Sequence, residues 1–163
     1  MIIFINGNMN SGKTTVSKVL EKKIPNTARL EVDALRHFIS WMPVHDSVRY
    51  NLENTVSLIR NFVKNGFNVV VPYPLSPESY KYLNKELSDI ETEVFYFTLN
   101  PSIKHLLLNR GTRELPKEDI EQINFLHAVK IAEVNFGITL DNSEQTPEET
   151  ANIIIQSIKE RTQ

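Results

Sequence analysis

The chain has 163 residues, of which 40% are hydrophobic and 23% charged, with a net charge of −2. That length and composition suit a single domain, 1–163, and the near-neutral charge argues against broad non-specific capture of nucleic acid. With no cysteine, disulfides, thiolate nucleophiles and cysteine metal sites are excluded, and with neither a membrane-length apolar run nor a signal-peptide pattern the expected location is cytoplasmic.

Ile2, Ile3, Phe4 and Ile5 form a near-continuous apolar run, the pattern of a strand buried on both faces. The stretch Gly7-Asn8-Met9-Asn10-Ser11-Gly12-Lys13-Thr14 follows and opens a helix-patterned segment, 13–23, that stops at Pro25-Asn26. A second strand is expected over 28–32, running directly into Asp33, then a short helical piece over 34–39 that Trp41, Met42 and Pro43 break. A longer helix over about 46–64 carries Val48, Leu52, Val56, Ile59 and Val63 on one stripe and ends at Asn65-Gly66.

The third strand is expected over 67–71, closed by Pro72-Tyr73-Pro74. Ser76-Pro77 is a helix start, with serine as N-cap and proline at the first helical position. A fourth strand covers 94–98, and Asn100-Pro101 opens a helix with Ile103, Leu106 and Leu107 inward. The polar loop 110–116 interrupts the pattern. A helix over about 117–135 and a fifth strand over 136–140 follow, and Thr146-Pro147-Glu148-Glu149 is a capping box opening the last helix. Strands alternate with helices throughout, which predicts an α/β fold: a five-stranded parallel sheet with helices on both faces. Ligands of such sheets bind at the strand C-termini, where the glycine-rich stretch, Asp33, Tyr73 and the loop after Leu140 all fall.

Gly7 to Thr14 has the P-loop spacing. Glycines let the backbone curl so that N–H groups point at phosphate oxygens, and the following helix adds free N–H groups and its positive dipole end. Gly7, Asn8, Met9, Asn10, Ser11, Gly12, Lys13, Thr14 and Thr15 are therefore the candidate nucleotide-binding residues. Lys13 would reach the β- and γ-phosphates and Thr14 would ligate Mg²⁺. Asp33, 20 residues after Lys13, suits a general base for an attacking hydroxyl, a holder of water on Mg²⁺, or simply a cap for the helix after it. Arg36 suits an ion pair with Asp33, a grip on an acceptor phosphate, or a solvated position. His37, Phe38, Trp41, Met42, His45, Arg49 and Tyr50, with Tyr73, are the expected acceptor region, reading either as a surface for a flat ring or as packing at the core edge. His105 and His127 read as structural or surface residues without partners.

Taken together, Gly7–Thr14, Asp33-Ala34-Leu35-Arg36, Arg110-Gly111-Thr112-Arg113 and the 141–149 stretch resemble the P-loop kinases of the nucleoside-monophosphate-kinase-like, three-layer P-loop NTPase fold. The pattern is most similar to polynucleotide 5′-kinase domains and to chloramphenicol phosphotransferase-like small kinases. The resemblance implies a Mg·ATP-dependent phosphotransferase with a small hydroxyl-bearing acceptor; a nucleic-acid 5′ end is less favoured. It implies Asp33 as base, Arg36 and Tyr73 beside the acceptor, Arg110 and Arg113 as lid arginines closing over ATP, and adenine between the lid and 141–145. Two permanent cations on a glycine-hinged polar loop suit that role chemically. One departure is plain: related kinases often carry an Asp just after the third strand, where this chain has Tyr73. A slow NTPase or nucleotide-binding regulatory module is the alternative. An Asn/Thr-Lys-x-Asp guanine motif is absent from the sequence.

Overall fold

Ile2, Ile3, Phe4 and Ile5 are all fully buried because the strand they form has a layer of helices on each side. A computed structural model describes residues 1–39, 42–109 and 114–162, and of 44 and 45 the backbone only. Five strands are all parallel: β1 (Ile2–Gly7), β2 (Thr27–Arg29), β3 (Asn68–Pro72), β4 (Val94–Leu99) and β5 (Ile138–Leu140), in the order β2-β3-β1-β4-β5. The first strand is thus central, and the register sets Gly7 against Leu99 and Ile5 against Pro72.

Alternate side chains of the sheet feed two separate cores, as the two-residue period of a strand requires. Ile2, Phe4, Val69, Val71 and Tyr96 meet Leu52, Val56 and Ile59 of α2 (Val44–Lys64) and Leu83 of α3 (Pro77–Glu86). Ile3, Ile5, Val70, Phe95 and Phe97 meet Val16 and Leu20 of α1 (Lys13–Lys23) and Ala151, Ile154 and Ile158 of α6 (Pro147–Arg161). The short α4 (Ile103–Leu106) and α5 (Lys117–Ala128) contact one another, and α5 reaches the glycine-rich loop through Ile123, which is fully buried.

The helix ends follow the local chemistry. Thr146 and Glu149 form the reciprocal capping box, and Ser76 Oγ accepts from the Ser79 amide with Pro77 at the first turn. At the end of α2, Gly66 at φ +81° lets the Phe67 amide return to the Phe62 carbonyl and its own amide to that of Val63.

Several boundaries differ from the sequence expectation. The strand expected over 28–32 is Thr27–Arg29, and the piece after it is a 3-10 helix, Val32–Phe38. Asp33 is therefore inside the first turn of that helix, not its cap; Glu31 holds the N-cap position and makes no side-chain capping bond. The helix expected over 117–135 ends at Ala128, with Lys130 in the left-handed region at φ +57°. Ring stacking explains why 129–136 departs from the helix. Phe136 lies parallel to Tyr80 at 3.9 Å between centroids and edge-on to Tyr96, which anchors this segment to α3 instead.

Candidate active site

The C-terminal ends of parallel strands share one edge of the sheet, and the glycine-rich loop leaves that edge from its centre. Gly7 has φ +140°, and a Cβ there would lie 2.4 Å from the Leu99 carbonyl oxygen and 2.7 Å from Ser11 Oγ. Only glycine lets the loop turn this close to the next strand. Asn10 (φ +59°) and Gly12 (φ +96°) supply the other left-handed turns, and α1 starts at Gly12 without a side-chain cap. The first N–H groups of α1 are thereby left facing the loop, the arrangement that suits an anion.

Side chains hold the loop from three directions. Asn8 Nδ2 donates to the Ile123 carbonyl at 3.2 Å, tying the loop to α5. Asn10 Nδ2 donates to the Leu106 and Leu108 carbonyls at 2.7 and 3.1 Å, tying it to the end of α4. Asn142 Nδ2, from the turn after β5, donates to the Ser11 carbonyl at 3.0 Å. Asn8, Ser11 and Asn142 are all buried. These asparagines give their Nδ2 groups to bracing, while Oδ1 of Asn8 and Asn142 and the Ser11 hydroxyl stay buried without a partner.

Lys13 is folded back over the loop, its Nζ donating to the Gly7 and Asn8 carbonyls at 3.0 and 2.7 Å. Burial pushes its pKa down to about 8, opposed by the negative charge of Asp33. Asp33 thus lies within electrostatic reach of the lysine. Thr14 and Thr15 are both exposed.

Met9, Asn10, Lys13 and Thr14 line a cavity of about 590 Å³ with Asp33 and Tyr73 on its other side. Gln122 and Leu126 of α5 also border it. The β3 exit is held in place by β1: the Tyr73 amide donates to the Ile5 carbonyl at 3.0 Å, and the Leu75 amide to Asn6 Oδ1 at 2.7 Å. Asn6 in turn donates to Thr98 Oγ1 on β4. Tyr73 is 7% exposed, and burial first, then the Asp33 charge, raises the pKa of its phenol, which keeps it neutral.

A second cavity of about 310 Å³ adjoins the first and shares Asp33, Val48 and Tyr73 with it; Arg36, Ser47 and Asn51 complete its lining. Among the described residues neither the Asp33 carboxylate nor the Arg36 guanidinium forms an ion pair. The pairing of Asp33 with Arg36 anticipated from spacing is not formed. Thr14 and Asp33 offer oxygen donors to the larger cavity, and oxygen suits Mg²⁺. Among the described residues no cluster of three or more His, Asp or Glu gathers to hold a metal. A metal here would therefore complete its shell with phosphate oxygens and water, as Mg²⁺ does.

No family model matches the chain. Over an alignment 71 residues long the chain is 37% identical to the bifunctional pantoate ligase/cytidylate kinase of Prochlorococcus marinus (strain MIT 9301), covering 41% of this chain and 14% of that protein. The chain so spans only a small part of that relative's length. Among solved structures, the tunicamycin resistance protein of Deinococcus radiodurans superposes with a TM-score of 0.67 at 19% identity, covering 96% of this chain and 94% of that one. The APS kinase of Mycobacterium tuberculosis, solved with AMPPNP and APS, does so with a TM-score of 0.67 at 19% identity, covering 97% and 96%. The fold is that of the P-loop kinases.

Within that P-loop kinase fold the residues anticipated from sequence divide into three groups. Met9, Asn10, Lys13, Thr14, Asp33 and Tyr73 are brought to one cavity, and Arg36 to the adjoining one. Gly7, Asn8, Ser11 and Gly12 shape the loop, and Thr15 lies outside the cavity lining. Arg110 and Arg113, with Gly111, Thr112 and Trp41, lie outside the described residues, as does the side chain of His45. Of the described residues of the expected acceptor region, Tyr73 lines both cavities, while Phe38 is 86% exposed, Tyr50 49% exposed and Arg49 paired with Glu53, and these three line neither. Phe38 does not pack the core edge either. His105 does have partners: Ser102 Oγ at 2.8 Å and the Glu144 carboxylate at 3.3 Å.

The turn after β5 was expected on the rim, but the bond of its Asn142 to the glycine-rich loop was not legible, and Asn51 was not legible at all, because only the fold brings α2 to the rim. The one available signal was weak: Asn51 falls close to the buried stripe of its helix, next to Leu52, where a polar side chain needs a reason.

Proposed function

We propose that this chain is a Mg·ATP-dependent phosphotransferase that moves the γ-phosphoryl group of ATP to a hydroxyl of a small acceptor. The observation that carries this reading is the pair of adjoining cavities with Asp33 on their shared wall, one bordered by the glycine-rich loop, Lys13 and Thr14. A P-loop binds the phosphate chain of a nucleotide, and a neighbouring pocket with a carboxylate at the junction is what in-line transfer to a second substrate needs.

On this reading, ATP phosphates lie along the loop amides and the start of α1. Lys13 leaves the Gly7 and Asn8 carbonyls and bonds phosphate oxygens instead. The acceptor hydroxyl sits against Asp33. Its oxygen attacks the γ-phosphorus while the bond from that phosphorus to the β,γ-bridging oxygen breaks. The hydroxyl proton passes to the Asp33 carboxylate and ADP leaves. Thr14 Oγ1 would hold Mg²⁺, which when bound neutralises phosphate charge. Arg110 and Arg113 are assigned, by the resemblance, to the charge on the transferred group. Tyr73 leaves Asp33 as the carboxylate of the shared wall, and so as the base.

The test is ADP release from Mg·ATP with and without hydroxyl-bearing acceptors, comparing the chain with Asp33→Asn. Acceptor-dependent release that falls by roughly 10²–10⁴-fold in Asp33→Asn is expected for loss of a general base. Full acceptor-dependent turnover in Asp33→Asn would remove Asp33 from that role. Release insensitive to every acceptor would favour the NTPase reading.

A further inference from the structure

The smaller cavity carries information about the acceptor. Asn51 on α2 is 3% exposed, lines this cavity, and its Oδ1 has no hydrogen-bond partner. A buried carboxamide oxygen left unpaired costs stability unless a ligand or water completes it. Arg36, half-buried on the same lining, is a permanent cation without an ion pair among the described residues. The volume, about 310 Å³, is at the small end of ligand pockets. Among the described residues the lining holds one aromatic ring, Tyr73, with Phe38 and Tyr50 outside it, so these residues offer no pair of rings to sandwich a nucleobase.

From these observations we infer that the acceptor is a small polyhydroxylated anion, with its anionic group on Arg36 and a hydroxyl other than the one phosphorylated on the Asn51 carboxamide. This rests on the kinase reading above and names the substrate class of the same site. A hydroxyl satisfies the Asn51 amide in either orientation, since it both donates and accepts. The anion meets the guanidinium through charge-assisted bonds. The reacting hydroxyl then falls to Asp33, the residue on the wall between the two cavities.

The experiment uses the full chain with Mg·ATP and a defined panel. The panel holds the hydroxy acids D-glycerate, D-gluconate and shikimate, their neutral counterparts glycerol, D-glucose and methyl shikimate, and cytidine 5′-monophosphate. Transfer of labelled γ-phosphate is read for each, and ATP binding is read separately by calorimetry. The expected result is transfer to at least one acid, at a KM at least tenfold below that of its neutral counterpart. Asn51→Leu, which keeps the volume and removes the polar atoms, is expected to raise the KM for that acid by roughly 10- to 100-fold. Wild-type protein should discriminate tenfold or more against one singly deoxygenated analogue of that acid, and Asn51→Leu should lose that discrimination. A purely structural role for Asn51 would not produce the second effect.

Transfer only to cytidine 5′-monophosphate, read as its diphosphate, would overturn the inference and the hydroxyl acceptor of the kinase reading together, whereas transfer only to neutral alcohols would overturn the inference and leave the kinase reading intact. So would binding of ATP with no transfer to any acid, or an Asn51→Leu variant that still discriminates against the deoxygenated analogue. Absence of ATP binding by the folded wild-type chain would be the distinct signature of failure of the kinase reading itself, and would take this inference with it.

Discussion

Replacing Gly7 by alanine separates backbone strain from steric conflict. Gly7, Gly66 and Gly137 all hold positive φ and differ in what a methyl group would meet. At Gly66 (φ +81°) nothing lies within 4 Å; at Gly7 (φ +140°) the methyl would sit 2.4 Å from the Leu99 carbonyl oxygen; at Gly137 (φ +70°) it would sit 2.2 Å from that of Tyr96. Gly66→Ala therefore costs only the left-handed backbone penalty, about 1–2 kcal/mol. Gly7→Ala adds overpacking against a central strand that is paired on its far side too. That brings another 1–3 kcal/mol, for a total of about 2–5 kcal/mol. At about 2–4 °C per kcal/mol for a chain of this length, the melting temperature falls by roughly 2–8 °C in Gly66→Ala. The corresponding fall is roughly 4–20 °C in Gly7→Ala. Circular dichroism melts of both variants against wild type give the comparison directly. Calorimetry at a temperature where both are folded adds the functional half: Gly7→Ala weakens ATP binding at least tenfold and Gly66→Ala leaves it unchanged. A Gly7→Ala melt no lower than that of Gly66→Ala would refute the claim that the loop is packed against β4 at the limit of contact.

Lys13 makes nucleotide binding pH-dependent. Its pKa, about 8 in the free protein, rises again when phosphate oxygens replace the loop carbonyls. ATP binding at pH 8.5 should therefore take up a proton, and affinity should fall as pH rises above 8. Calorimetry in buffers of different ionisation enthalpy measures the uptake, and Lys13→Met should abolish it. For stability the sign runs the other way. A lysine whose folded pKa lies below its unfolded value destabilises the fold below pH 8, a penalty relieved between pH 8 and 10.5. Asn142→Ala removes a buried donor to the Ser11 carbonyl and should cost about 1–2 kcal/mol, read by urea titration, with weaker ATP binding because the loop is less firmly held. Thr146→Ala breaks the capping box of α6 and should cost about 1 kcal/mol with no effect on ATP affinity.

The fold was legible because its signals are local and repeated. The apolar runs at 2–5 and 69–71 are strands buried on both faces, and Ser76, Thr146 and Gly66 carry helix-end chemistry within a few residues. The glycine-rich loop was legible for the same reason. What failed to show were features decided by tertiary contact. The helix expected to run to 135 stops at Ala128 because Phe136 stacks on Tyr80, 56 positions earlier. The aromatic residues of 38–50 read either as a ligand surface or as core edge, and the end of the 3-10 helix sends Phe38 outward, away from the core. Asp33 and Tyr73 were placed on one rim by strand topology alone. Asn51 needed the packing of α2 over that rim, which no spacing rule conveys.

The tyrosine after β3 bears on more than metal binding. A carboxylate at position 73 would stand on the wall shared by both cavities, beside Asp33. Two carboxylates in such proximity repel, and each raises the other's pKa. The tyrosine avoids this conflict because its phenol is held neutral by burial and by Asp33 itself. Among the described residues the charges lining the two cavities are then Lys13 and Arg36 against Asp33, a net positive balance before any ligand enters. Unlike charges at about 4 Å interact by roughly 4 kcal/mol at the effective dielectric of a protein surface, and like charges repel by as much. An added carboxylate would thus weaken both the phosphate chain and an anionic acceptor. Tyr73→Asp tests this balance. On the proposed reading it raises the KM for an anionic acceptor more than that for its neutral counterpart, with the gap narrowing as salt screens the site. Equal effects on both would mean that Tyr73 contributes shape and not charge.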